Sequence, residues 1–283
     1  MSGPLIAFTG STPNIGTTVA ALGTAFRLAA RTGKRVGFLC LNLKSAKTHL
    51  YLGVDEPKVT LDAIRPELRA GTLTADKLRA YAQAPPRLRG VHVLFGNLPR
   101  DQAEYYEPGQ IEHLLRAARE AFDATVVDTG AYWDNAATIC AARLADHRFL
   151  VSTGQFAHFR EDVYRWIVQI APQFGVRPGD FHLVVLRRPG LDAEGFGLKD
   201  ICRETGSAGG TELKFDTELG AYLDGGRLDE WLADERRAAA FDAVAESLRR
   251  KLGWPDGDRR ADGPRVLRPW WLRRPAAKRS GGA

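Results

Sequence analysis

Residues Leu5-Ile6-Ala7-Phe8-Thr9-Gly10-Ser11-Thr12-Pro13-Asn14-Ile15-Gly16-Thr17-Thr18 constrain this chain more than any other stretch: an apolar run, a turn-rich loop and a helix start follow one another directly. Four consecutive apolar residues suit a strand covered on both faces, where alternation is not required. After the loop, Val19, Ala20, Leu22, Gly23, Phe26, Leu28 and Ala29 recur near the helical period, with small residues suited to packing on a sheet. In such a corner, successive backbone N–H groups and the positive end of the helix face one point, which is how a phosphate is held. The residue types, however, fit only in part. In the pattern G-x-x-x-x-G-K-[ST] a lysine reaches the outer phosphates and a Ser/Thr hydroxyl holds magnesium. Here Ser11 stands at the first glycine and Thr17 at the lysine, and only Gly16 and Thr18 match. On pattern alone, an ordinary strand-turn-helix corner stays open beside the phosphate loop.

The loop is followed by Gly33-Lys34-Arg35-Val36-Gly37-Phe38-Leu39-Cys40-Leu41-Asn42-Leu43, and together they resemble the ParA/MinD family of deviant Walker-A ATPases, whose loop reads K-G-G-V-G-K-T-T and whose next strand ends D-x-D. By that resemblance the nucleotide loop is Ser11, Thr12, Pro13, Asn14, Ile15, Gly16, Thr17 and Thr18. The family's two lysines fall on Thr12 and Thr17, its magnesium threonine on Thr18, and its two aspartates on Cys40 and Asn42. Four functional positions are altered and one is kept. Phe122-Asp123-Ala124-Thr125-Val126-Val127-Asp128-Thr129-Gly130 is similar to the family's Walker-B strand, with Asp128 at its carboxyl end. The resemblance implies ATP and Mg²⁺ as cofactors bound weakly, with Thr18 and Asp128 as the magnesium residues, since Mg²⁺ prefers oxygen ligands. On local sequence, Asp128 fits a turn or helix cap near Asn135 equally well.

Val91-His92-Val93-Leu94-Phe95-Gly96-Asn97 and Glu104-Tyr105-Tyr106-Glu107-Pro108-Gly109-Gln110-Ile111 resemble one branch, the CpaE/TadZ proteins of Flp-type pilus assembly. The likeness spans roughly residues 4 to 250 and is specific at the three motifs. It implies a localisation or assembly factor for a pilus or secretion machine, a homodimer formed through residues 10–18, and a pseudo-ATPase. A working ATPase with an unusual loop and a DNA-binding partition protein are the competing readings.

The pattern predicts an α/β fold, a mostly parallel twisted sheet with helices on both faces, in the three-layer manner of P-loop NTPases. Expected strands are 4–9, 35–42, 91–95, 124–128, 147–152, 181–186 and 212–215; the clearest expected helices are 17–31, 110–121, 135–144, 161–174, 193–205 and 236–252. Ligands bind such sheets beyond the carboxyl ends of the strands, where Gly10–Thr18, Asn42 and Asp128 converge. The family's base-contacting position, after the sixth strand, falls on Arg187-Arg188-Pro189. A basic pair there would contact phosphate or a partner, while two surface arginines before a turn proline read more simply as a solvated strand end.

With 44% hydrophobic and 26% charged residues among 283, the chain can bury a full core. Residues 1–253 are expected to form the P-loop domain and 254–283 a flexible tail. That tail holds eight Arg/Lys and three Asp, a net of +5 out of the whole chain's +6, so the domain is close to neutral. Weak basicity there disfavours nucleic acid as a partner, because affinity for DNA rests on clustered Lys/Arg. Within the tail, Trp270 and Trp271 lie among arginines and prolines, a composition suited to an anionic membrane surface or an acidic partner; packing back on the domain is the structural alternative. Cys40, Cys140 and Cys202 are too widely spaced for a C-x-x-C metal site, and Cys40 reads as a small buried residue rather than a thiol nucleophile. No signal peptide or spanning segment is evident, so a cytoplasmic protein, peripheral at most, is expected.

Overall fold

Seven short strands pair side by side, all parallel, in one sheet; the computed structural model describes residues 2–187 and 196–255. In chain order the main elements are β1 (Leu5–Gly10), α1 (Thr17–Thr32), β2 (Val36–Leu41), α2 (Thr48–Tyr51), α3 (Arg65–Ala70), α4 (Ala75–Tyr81), β3 (Val91–Leu94), α5 (Pro108–Ala121), β4 (Ala124–Thr129), α6 (Ala136–Leu144) and β5 (His147–Thr153). They continue with β6 (Phe181–Arg187), α7 (Leu198–Thr205), β7 (Gly210–Lys214), α8 (Leu219–Asp224), α9 (Leu228–Ala233), α10 (Glu235–Ala238) and α11 (Asp242–Lys251). The sheet order is β3-β2-β4-β1-β5-β6-β7, so β1 sits at the centre between β4 and β5. In register, Phe8 lies beside Asp128 on one side and Phe149 on the other.

Both faces of β1 are buried, which explains its unbroken apolar run. Ile6 and Phe8 point into a core shared with α1, α9 and α11, where Phe8 stacks on Phe149 at 4.7 Å. Leu5 and Ala7 point into the opposite core with α3 to α6. Fully burying one large aliphatic or aromatic side chain contributes about 1.5–3 kcal/mol, so the two cores hold the sheet from both sides. The tips of β1, β2, β4 and β7 therefore end at one edge.

All seven expected strands are present, with ends shifted by a few residues; β7 begins earlier and ends one residue sooner than expected. The helices differ more. Three short helices, α2 to α4, fill the span between β2 and β3, where no element was singled out. The stretch expected as a helix over 161–174 begins sooner and winds wide, as π-type turns at His158–Val163 and Arg165–Ile170, before a tight turn at Ala171–Phe174 that carries Pro172. Of the helix expected over 193–205, the described part is α7. The helix expected over 236–252 is interrupted: a tight turn at Ala239–Phe241 separates α10 from α11 and carries the Phe241 ring onto Gly23 of α1. Arg27 of α1 clamps this join by bonding both Asp242 and Glu235. Of the expected tail, Trp254 is described and packs against the core, with Lys34 Nζ 5.9 Å from its ring centre; the tail from residue 256 on, with Trp270 and Trp271, and the pair Arg188-Pro189 lie outside the described residues.

Candidate nucleotide site

The loop after β1 turns tightly at two residues. Gly16, the N-cap of α1, has φ 113, and Asn14 has φ 61, the only described non-glycine residue with positive φ. Glycine tolerates that region freely and asparagine better than most residues. Gly10 is needed where it stands, because a Cβ there would meet Thr17 Oγ1 at 2.6 Å.

The loop side chains divide into two sets. Thr12, Pro13, Asn14, Gly16, Thr17 and Thr18 line a cavity of about 440 Å³. Ser11 and Ile15 do not line it: Ser11 is buried and donates from Oγ to Ser152 Oγ at 3.0 Å, and Ile15 is buried in the core beneath the loop. These two positions of the expected nucleotide set thus anchor the loop rather than face the cavity. Thr12 is also tethered, its hydroxyl donating to Asp162 Oδ2 at 2.5 Å within the same chain.

Beyond the loop the cavity is walled by Asn42, Ser45 and Lys47 after β2, Thr129 to Tyr132 after β4, and Phe215 to Thr217 after β7, with Tyr51 of α2 and Leu219, Gly220 and Leu223 of α8 closing one side. The strand-end rule therefore holds for four strands at once.

Asp128 is fully buried at the tip of β4, where Thr18 Oγ1 donates to its Oδ2 at 2.7 Å. Burial pushes its carboxyl up to about 7, against the opposing pull of the Thr18 hydroxyl. Its Oδ1 is buried with no hydrogen-bond partner among the described residues, and the same holds for Oδ1 of Asn42, which lies 2.5 Å from where a Cβ on Gly130 would be. A hydroxyl and a carboxylate with a spare oxygen, side by side, form an all-oxygen donor set, which fits Mg²⁺. The cap reading of Asp128 does not describe this geometry: Asn135 itself caps α6, accepting from the Thr138 N–H.

Cys40, where the resemblance places an aspartate, is a buried thiol pushed up to about 12, chiefly by desolvation, so it is neither a ligand nor a nucleophile at neutral pH. Arg187 does not reach the cavity. It pairs with Glu212 of β7 at 2.7 Å and donates to the Phe196 carbonyl, a strand-end ion pair rather than a phosphate contact. No group of three or more His, Cys, Asp or Glu side chains suited to a metal exists among the described residues. No described helix is long and apolar enough to cross a membrane.

The sequence reading missed Lys47, Tyr51, the Phe215–Leu223 wall and the Asp162 tether. A signal existed for the first and third: both follow directly on the carboxyl ends of expected strands. Asp162 had none, since nothing local ties residue 12 to residue 162.

The central β1, its loop and helix, the Thr18–Asp128 pair and the parallel order define a P-loop NTPase fold of the ParA/MinD kind. No protein-family model matches the chain, and no curated protein matches it. Solved structures do. A ParA family ATPase from Chlorobium tepidum superposes with a TM-score of 0.73 at 14% identity, covering 87% of this chain and 99% of that one. The septum site-determining protein MinD from Pyrococcus horikoshii, complexed with Mg-ADP, gives 0.65 at 16% identity, covering 88% and 98%. A putative plasmid partition protein from Borrelia burgdorferi bound to AMPPNP gives 0.64 at 11% identity, covering 88% and 99%. At such identities the likeness is one of fold.

Proposed function

We propose that this chain is a hydrolysis-incompetent relative of the ParA/MinD ATPases that serves as a localisation or assembly factor, of the CpaE/TadZ kind, for a Flp-type pilus or secretion machine. One observation carries the chemical half of this reading: the loop facing the cavity has threonine at both positions where a lysine would meet phosphate, while the pair suited to magnesium is intact. Binding and turnover thus separate. Loop amides, the α1 N-terminus and a Thr18–Asp128 cation site suffice to hold a nucleotide weakly. Magnesium, when bound there, would neutralise phosphate charge. Turnover asks for more, because phosphoryl transfer depends on positioning and on fixed positive charge where negative charge develops. Asn42 orients a water but cannot take its proton.

The positioning half rests on the company the fold keeps, a septum site-determining protein and a putative plasmid partition protein among the solved structures, and on the pilus-branch sequence likeness. A homodimer through the face bearing residues 10–18 follows from the same likeness. Because Thr12 is bonded within its own chain, the dimer is expected without nucleotide, by light scattering of the apo protein. Steady-state phosphate release from MgATP tests the whole: release at background is expected, and release clearly above background that Asp128→Ala abolishes supports the working ATPase instead.

A further inference from the structure

The cavity is short of positive charge in its loop, yet a cation stands at its rim. Among the described residues that line it, Lys47 is the only lysine or arginine. Lys47 is the N-cap residue of α2, five residues past Asn42, and its Nζ lies 3.3 Å from Oδ1 of Asn14, the positive-φ residue of the phosphate loop. Its neighbour Lys44 is spoken for, since it pairs with Asp134 and Glu104. Lys47 forms no ion pair among the described residues, is exposed, and holds only a neutral amide oxygen. A single weak bond to an amide leaves two of its three ammonium donors available.

We infer that Lys47 supplies, from the loop after β2, the phosphate-contacting charge that Thr12 and Thr17 lack. The inference rests on the reading above that the cavity holds a nucleotide. Two features of the geometry favour it. The flexible four-carbon stem of Lys47 lets the ammonium swing from the Asn14 amide to an anionic oxygen, a stronger acceptor. Asn14, held with φ 61 on the phosphate loop, keeps the ammonium parked beside the loop in the free protein. The ligand class this selects is a nucleoside di- or triphosphate, whose outer phosphates take the charge, over a nucleoside.

Titration calorimetry of the full chain with MgATP, MgADP and adenosine tests this, using Lys47→Ala, Lys47→Arg and, as a control, Lys44→Ala. Lys47→Ala should weaken MgATP about tenfold or more, leave adenosine unchanged and so narrow the preference for ATP over adenosine by the same factor. Lys47→Arg should retain most of the affinity, and Lys44→Ala should match the wild type. Thr17→Lys should restore MgATP binding to Lys47→Ala, because either lysine then serves the phosphates. Equal losses for MgATP and adenosine, or an unchanged MgATP affinity in Lys47→Ala, overturn the role of Lys47 while leaving the nucleotide site standing. A wild-type chain that binds no nucleotide overturns both.

Discussion

Replacing Thr17 by lysine gives the loop the charge that the proposed nucleotide reading assigns to this position, and the outcome can be sized from the structure. Thr17 is the first residue of α1, half-buried, with its hydroxyl over Gly10 and its side chain on the cavity wall. A lysine there leaves in the same direction, between Gly10 and the cavity. A charged hydrogen bond contributes about 1.5–3 kcal/mol, so MgATP should bind about 10- to 150-fold more tightly than to the wild type. The cost falls on the free protein rather than on binding. A cation in the first turn of a helix opposes its dipole by about 0.3–1 kcal/mol, partly offset by the better helix propensity of lysine over threonine. The melting temperature should thus fall by a few degrees at most, about 2–4 °C for each kcal/mol in a domain of this size. Calorimetric titration with MgATP, paired with thermal unfolding, reads both numbers. A folded Thr17→Lys protein with unchanged affinity refutes the reasoning, because it shows that the loop does not present phosphates to position 17.

Gly23→Ala should destabilise, since the added methyl meets the Phe241 ring; overpacking costs about 1–3 kcal/mol, against at most about 1 kcal/mol gained from helix propensity, and a melting temperature at or above wild type would contradict this. His182 is held well below its usual range, at about 4, chiefly by burial, with Nε2 at 2.8 Å from Thr211 Oγ1. The unfolded chain therefore takes up its proton first, so the stability from His182 is full above about pH 6.5 and declines as the pH falls towards 4. Urea unfolding of wild type should lose roughly 2 kcal/mol more between pH 7 and 4.5 than His182→Gln does, and parallel losses in the two proteins would reject the linkage. For the tail, the six basic residues from Arg265 to Arg279 should each contribute about 1 kcal/mol at an anionic surface, so a chain ending at Gly253 should lose salt-sensitive sedimentation with anionic liposomes. Unchanged sedimentation together with a lowered melting temperature would assign Trp270 and Trp271 to the domain instead.

The fold was legible because its signals are local. Buried parallel strands read as apolar runs such as 5–8 and 183–186, and each was placed within a few residues. Short helices such as α2, with four residues, carry too few periods to stand out, and their stability comes from packing rather than propensity. In the site, Thr18 and Asp128 came together as the motif spacing implied. What escaped notice was contact across long separations. Neither Thr12 to Asp162 nor Ser11 to Ser152 leaves a trace in the residues around either partner, because a single hydroxyl bond imposes no periodicity. Lys47 is hidden for a different reason: an exposed lysine in a loop has the composition of a solvated surface, and in the sequence only its place past the carboxyl end of β2 distinguishes it.

Those two hydroxyl bonds bear on signalling. Ser152 and Asp162 hold the loop in shape from within the chain, as a ligand's oxygens do in a loop that orders only when filled. A loop that already has its form gives a docked partner the same surface whether or not a nucleotide is present. On the proposed reading, such a protein would mark a place continuously and keep no time, and any rhythm in the assembly it serves would be set by another component.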